Sequence, residues 1–551
     1  MKLNKVMGAV ALALCTTPLL AGATAYDVQE LPLNDIAENQ FATSIDNTGL
    51  ILSTVQLPFN QPINMALFNV DSFTSLTDPD AAEAGQFNDE DYRIVVNTFR
   101  NAAAEFSLTS QKLAAQLAYT TDGVNANYVN MFDTETEETG GFTFGLNTSV
   151  AGSVSGAYII GDGPTPFYTV DFTDADGNDI TFNINDVQRR GFVQFGETVT
   201  PLMPIDDTFG GISVPRAINE NLQVVGYSSV DIGDAITNAI EACQADDLEI
   251  PVEVCEYDRR RSIQSSFVTR ATLWQLDAQG QVVSSQFFDL SFEPDEDDNR
   301  PFVNDALDIN NSGIAVGSGI ITFGDNGDRA TNAAMIFENG LATRMLDDDD
   351  LLPNYAVGIN DNNIIVGYQT QFINNVGRNK MFIYNKETGD LDFPSDFFVS
   401  SSTFPRDINN NGIVVGDAEV TSTSPRRRAG FVYDIEANTF LDLNTLIACD
   451  SPYSIIGANS INDDNTIVAD ATVLRAERNE RGEVILDENG EEVLETQVVA
   501  LKLTPNGEDA PECSPSEEEV AATERQGASG SVLMLLMLGA FALLRRKSLA
   551  K

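Results

Sequence analysis

One phrase is written seven times along this chain: an apolar residue, then Asn or Asp, then a polar turn, then an apolar run that most often closes on glycine. The copies are SIDNTGLILS (44–53), GLNTSVAGS (145–153), AINENLQVVGY (217–227), DINNSGIAVGS (308–318), GINDNNIIVGY (358–368), DINNNGIVVGD (407–417) and SINDDNTIVAD (460–470). Aligned on the residue after the first apolar one, the anchors are Asp46, Asn147, Asn219, Asn310, Asn360, Asn409 and Asn462, and the last four stand 50, 49 and 53 residues apart. Such a period requires a repeat architecture, in which each unit buries its apolar faces against its neighbours.

The phrase reads as a hairpin. Asn, Asp and Gly supply the left-handed backbone of a tight turn, and the Ile-Val-Val run packs on flanking sheets. The closing glycine fits a strand pressed against other backbone, where a side chain would not fit. Two further strand-like runs follow each hairpin, as in AGFVYDIEANTFLDLNTL after Asn409 and KMFIYNKETGDLDF after Asn360. Four short strands in about 50 residues make one propeller blade. The expected fold is an all-β, seven-bladed β-propeller over residues 26–514, with a β-solenoid as the alternative. Longer gaps read as helical insertions near 88–119 and 231–262, from their helical periodicity and alanine content. YDVQELPL (26–33) resembles a fourth strand, and the last repeat lacks one, so the N-terminal strand is expected to complete the final blade.

Both ends read as addresses. Lys2 and Lys5, an apolar stretch from Val6 and Ala23-Thr24-Ala25 form a signal peptide over 1–25, with cleavage expected between Ala25 and Tyr26. Residues 515–531 read as an acidic, small-residue linker. Val532–Leu544 is a short apolar run ahead of Arg545-Arg546-Lys547, and 532–551 is expected to be a transmembrane tail held by its basic end. Export leaves Cys243, Cys255, Cys449 and Cys513. An even number argues for two disulfides, and proximity favours Cys243–Cys255 with Cys449–Cys513 among the three possible pairings.

Composition narrows the chemistry. With 83 acidic and 31 basic residues the formal charge is −52, which repels nucleic acid and anionic membranes. There is no histidine, which removes Ser-His-Asp catalysis, His-ligated metals and imidazole proton transfer. No P-loop, dinucleotide fingerprint or nucleophile elbow occurs. LDDDDLLP (346–353) and EPDEDDN (293–299) could bind calcium weakly, though such runs are usually solvated loops. TDADGNDITF (173–182) has its glycine directly after Asp176, so it reads as a hairpin turn rather than an EF-hand. Carboxylate pairs could hydrolyse glycosides without histidine, but 83 acids offer no way to choose one.

The IN-x-x-G-x-V-V-G phrase is similar to the HAF-type repeats of bacterial extracellular proteins. The wider layout, with FLDLNTLIACDSPYSIIGANSINDDNTIVAD (440–470) and the LKLTPNG…CS ending, resembles a secreted Gram-negative family known only as a domain of unknown function. The tail resembles C-terminal sorting signals of the GlyGly-CTERM type, although Gly527-Ala528-Ser529-Gly530 stands where a Gly-Gly pair is usual. These resemblances imply signal peptidase and a rhomboid-like protease as processing partners, a transient inner-membrane tail, and then a surface or extracellular location. A plain tail anchor is the alternative for the C-terminus. The expectation is an exported monomer that binds or scaffolds an extracellular ligand without catalytic residues or a cofactor. The alternatives are a carboxylate-based glycoside hydrolase or lyase, and a calcium-dependent surface or biofilm protein.

Overall fold

The computed structural model describes residues 24–513, apart from 34, 102–106, 246–247, 263–266, 291, 293, 295–299, 301, 324–328 and 347–351. Seven four-stranded antiparallel sheets follow one another around a central channel, as expected of a seven-bladed propeller. The innermost strands, blades 1 to 7, are Ala37–Ile45, Ser149–Val154, Ser213–Ile218, Asn304–Ile309, Asn354–Ile359, Thr403–Ile408 and Ser454–Ile461. Blade 6 shows the plan: Thr403–Ile408, Ile413–Glu419, Arg428–Asp434 and Thr439–Asp442 pair in order from the channel outward. Apolar side chains pack between blades. Val415 and Val432 of blade 6, for example, join Ile455, Ala458 and Ile467 of blade 7 in one cluster.

Every innermost strand carries a bulge at the same place, as between Ala306 and Asp308 or Pro405 and Asp407. The closing glycine lies opposite the residue that opens the bulge, as Gly416 does opposite Pro405. A Cβ on Gly416 would sit 2.1 Å from the Phe404 carbonyl oxygen, and Gly161, Gly226, Gly317 and Gly367 are equally crowded. Backbone contact therefore explains the glycine. Ser53 and Ala469 occupy the equivalent place in blades 1 and 7.

The ring closes in blade 7, where Thr24–Glu30 pairs with Leu494–Asp509 as the outermost strand. Tyr26 donates its N–H to the Leu446 carbonyl at 2.8 Å, and Glu30 is held by Arg475 and the Tyr453 hydroxyl. Cys449, ahead of this blade, is bonded to Cys513 behind it. Residues 1–23 and 514–551 lie outside the described residues, and with them most of the signal peptide, Gly527, Gly530 and the tail at 532–551. Among the described residues, no helix is long and apolar enough to cross a membrane.

Two sequence expectations shift. The first insertion occupies 59–115, wider than the 88–119 expected, and contains the helices Pro79–Glu83 and Asp89–Arg100. Residues 116–119 belong to the strand Gln116–Thr121, because burying Leu117 and Ala118 between blades outweighs local helical preference. Asn147 is not a turn anchor. The blade 2 hairpin turns at Ser155-Gly156, between Ser149–Val154 and Tyr158–Gly163.

Candidate functional site

The first-to-second-strand hairpins all emerge at one end of the channel. Their anchors form a hydrogen-bonded arc that runs from blade 3 round to blade 1 and ends on blade 2. Each anchor Oδ1 accepts the backbone N–H groups two and four residues on, as Asn409 does from Asn411 and Ile413. Each Asn then donates Nδ2 to the anchor carbonyl of the next blade: Asn219 to Asn310, Asn310 to Asn360, Asn360 to Asn409, Asn409 to Asn462 and Asn462 to Asp46, at 2.8–3.3 Å. An amide supplies both functions, whereas an ionised carboxylate only accepts. Asp46 instead accepts the Gly156 N–H at 2.8 Å. Asn147 lies apart, its Oδ1 accepting the N–H groups of Ala115 and Gln116.

A second arc runs through the following residues. Glu220 takes its backbone partner from Asn311, Asn311 from Asp361, Asp361 from Asn410, Asn410 from Asp463 and Asp463 from Asn47. From Asn311 to Asn47, amides and carboxylates alternate, so no two carboxylates are adjacent in that run.

At this end the channel holds a pocket of about 290 Å³ lined by the anchors and by Asp308 and Asp407. Asp308 accepts the N–H groups of Ile309 and Ile359. Asp407 accepts those of Ile408 and Ile461 and the Ser460 hydroxyl. Burial, with the charge of Asp407 added, pushes the Asp308 carboxyl up to about 7. Each carboxylate thus bridges its own strand to a neighbouring blade, which is a structural role. Among the described residues, no three acidic or cysteine side chains converge on a common point for a metal. The acidic run at 346–353 and that at 293–299 lie largely outside the described residues. Asp174 closes a hairpin turn by accepting the N–H groups of Asp176 and Asn178.

The opposite end is built differently. Blades 1, 2, 3 and 7 each carry an excursion between their second and third strands, so all four emerge at this end. That of blade 7, 477–493, packs on the blade 1 excursion through Arg481, which pairs with Asp89 and lies over the Tyr92 ring. The blade 2 excursion is the hairpin Tyr168–Thr173 and Asp179–Ile184. That of blade 3 holds the helices Asp234–Glu241 and Val252–Ser262, tied by Cys243–Cys255. Phe182 and Ile184 pack on Val254 and Tyr257, with Leu108 of the blade 1 excursion against them. Asn183 donates its N–H to the Leu108 carbonyl at 2.7 Å.

Two adjoining clefts of about 530 and 460 Å³ lie beneath this cap and share Lys112, Gly145 and Phe167. Thr134, Thr136 and Thr139, which follow blade 1, line the larger cleft together with Thr169, Asp171 and Thr181 of the blade 2 excursion. The smaller contains the Asp162–Arg189 ion pair at 2.5 Å. Lys112 is only 6% exposed, and burial followed by the Arg261 charge pushes its amine down to about 7. No sequence pattern singled out these residues. The excursions that build the clefts were visible only as interruptions of the repeat.

Fold and sites together define a seven-bladed β-propeller with a cap of blade excursions at one end of the channel. Within that class, the chain belongs to a family described as a protein of unknown function, DUF3466, whose model matches residues 4–547. Curated proteins give no match. Among solved structures, it resembles the β-propeller domain of the Trilobed protease from Pyrococcus furiosus, with 14% identity, 68% of this chain and 98% of that one covered, and a TM-score of 0.32. The Dos1 propeller shows 7% identity over 89% of this chain and 99% of that one, with a TM-score of 0.33. An acylaminoacyl peptidase from Pyrococcus horikoshii shows 11% identity over 60% of this chain and half of that longer one, with a TM-score of 0.31. Such likenesses carry nothing about activity.

Proposed function

We propose that this protein is an exported propeller of the cell envelope or extracellular space that acts as a binding module, with the capped clefts as its ligand site. The observation that carries this reading is the convergence of the excursions from blades 1 to 3 at one end of a rigid ring. Loops held by such a scaffold are where binding residues concentrate. Two disulfides support export, because such bonds persist in oxidising compartments. In this reading, signal peptidase cuts before Tyr26, whose backbone nitrogen keeps its bond to Leu446, and residues 532–551 act as a sorting tail.

Immobilised full-length protein, offered glycan and peptide arrays, tests the binding role against a Thr181→Trp variant that fills the larger cleft. Retention by the native protein but not by the variant supports the reading. Equal retention by both, or none by either, overturns it. Sorting is checked by fractionating cells that express the chain with and without 532–551, where an unchanged distribution refutes the tail.

A further inference from the structure

Lys112 presents a charge without its complement. Its Nζ donates to the carbonyls of Ser107 and Ser110, both at 2.7 Å, and lies 5.8 Å from the centre of the Phe167 ring. Among the described residues, no carboxylate forms an ion pair with it. Lys380 and Lys386, by contrast, are matched by Asp396 and Glu338. A buried ammonium is costly unless an anion accompanies it. The two carbonyls and the ring face stabilise the charged form, yet none of them carries a full negative charge. Lys112 lines both clefts.

The surroundings restrict that anion. Asp133, Glu138 and Asp171 line the larger cleft and Asp162 the smaller, so a multiply charged phosphate would meet carboxylates on both sides. One carboxylate matches one ammonium. Threonines of two hairpins line the larger cleft together with Phe167 and Tyr168. The Thr139 hydroxyl donates to the Gly141 carbonyl and that of Thr181 to Asp171, which leaves their oxygens to accept from a ligand. Hydroxyl-rich walls beside aromatic faces suit a polyhydroxylated ring. Both volumes fall within the range of about 300–1,000 Å³ usual for sites that enclose small molecules.

We propose that the joined clefts bind an oligosaccharide containing a sugar acid, with its carboxylate at the Lys112 ammonium and its hydroxyls along the threonine walls. This rests on the clefts being the ligand site of the module. The probes are trimers of galacturonate, glucuronate and mannuronate, each compared with its uncharged hexose trimer by calorimetry on the full-length protein. At least one acidic trimer is expected to bind tenfold or more tightly than its neutral counterpart, with the preference shrinking as salt is added. Lys112→Met is expected to bring the two within about threefold while the circular-dichroism spectrum is unchanged. Should Lys112→Met not fold, Thr181→Trp on the exposed wall is expected to abolish binding of the acidic trimer. Equal affinity for acidic and neutral trimers, a preference that survives Lys112→Met, acidic-trimer binding that survives Thr181→Trp, or binding of none of the trimers overturns the proposal. Retention of some other ligand on the arrays, lost in Thr181→Trp, would in that case leave the binding module standing and remove only the sugar acid.

Discussion

Asp46 accepts the backbone N–H of Gly156 through Oδ2 at 2.8 Å, whereas the five asparagine turn anchors each donate to the next blade. Blade 2 turns at Ser155-Gly156 and presents an N–H there. The acid at position 46 is therefore matched to its neighbour. Asp46→Asn, with its amide nitrogen turned toward Gly156, sets donor against donor and should destabilise the fold by about 1–3 kcal/mol. The mirror change, Asn409→Asp, sets a carboxylate against the Asn462 carbonyl and the Asn465 Oδ1 and should cost at least as much. Urea titration of both variants checks this, and a neutral result for either would contradict the arc as described.

Gly416 has no room for a methyl group. Gly416→Ala places a Cβ against the Phe404 carbonyl and the Phe431 ring, and should destabilise by about 1–3 kcal/mol. Gly389→Ala is the control. Nothing lies within 4 Å of its added Cβ, although its φ of +76° still makes alanine unfavourable. Denaturation midpoints should rank native, Gly389→Ala, Gly416→Ala.

The Cys449–Cys513 bond closes a 64-residue separation around blade 7. Replacing both cysteines with alanine should remove about 4 kcal/mol on the chain-entropy account. The loss should expose the seam first. Hydrogen exchange is therefore predicted to rise in 26–30 and 501–505 before it rises in blades 4 to 6, and uniform loss of protection would count against a localised closure.

Stability should fall as the pH rises from 5 to 7; above that, Lys112, whose amine is lowered to about 7, acts in the opposite direction. Asp308, pushed up to about 7, keeps its proton in the folded chain where an unfolded aspartate, at about 3.9, has lost it. The stabilisation tied to this group is therefore complete below about pH 4 and is lost as pH rises through about 7. Burial also raises Asp407, and it raises Asp470 to about 6, so both act in the same direction. Thermal melts should show the decline, and Asp308→Asn should reduce it without abolishing it. Identical slopes in the two proteins would contradict the assignment.

The seven-part repeat, four strands to a unit, the N-terminal closing strand and both cysteine pairs are legible in the sequence. Each rests on local pattern or chain order. The second blade misled because GLNTSVAGS imitates the phrase, while the true counterpart of IVVG there is YIIG at 158–161. Its turn, Ser155-Gly156, has lost the anchor asparagine altogether. The first insertion as read from sequence overruns its end, because alanine-rich sequence at 113–118 favours helix locally where burial in the ring decides otherwise. It also starts late, because 59–87 carries no long helical pattern.

By itself, the sequence determined that this chain builds repeating hairpins and joins its two ends in one sheet, because turn chemistry and strand alternation act between residues close along the chain. Tertiary structure alone decided which way each anchor's hydrogen bond points, that two channel aspartates share one pocket, and that Lys112 lies without a counter-charge between two clefts. Those facts depend on burial and on neighbours 50 to more than 400 residues away, and no local pattern carries that information.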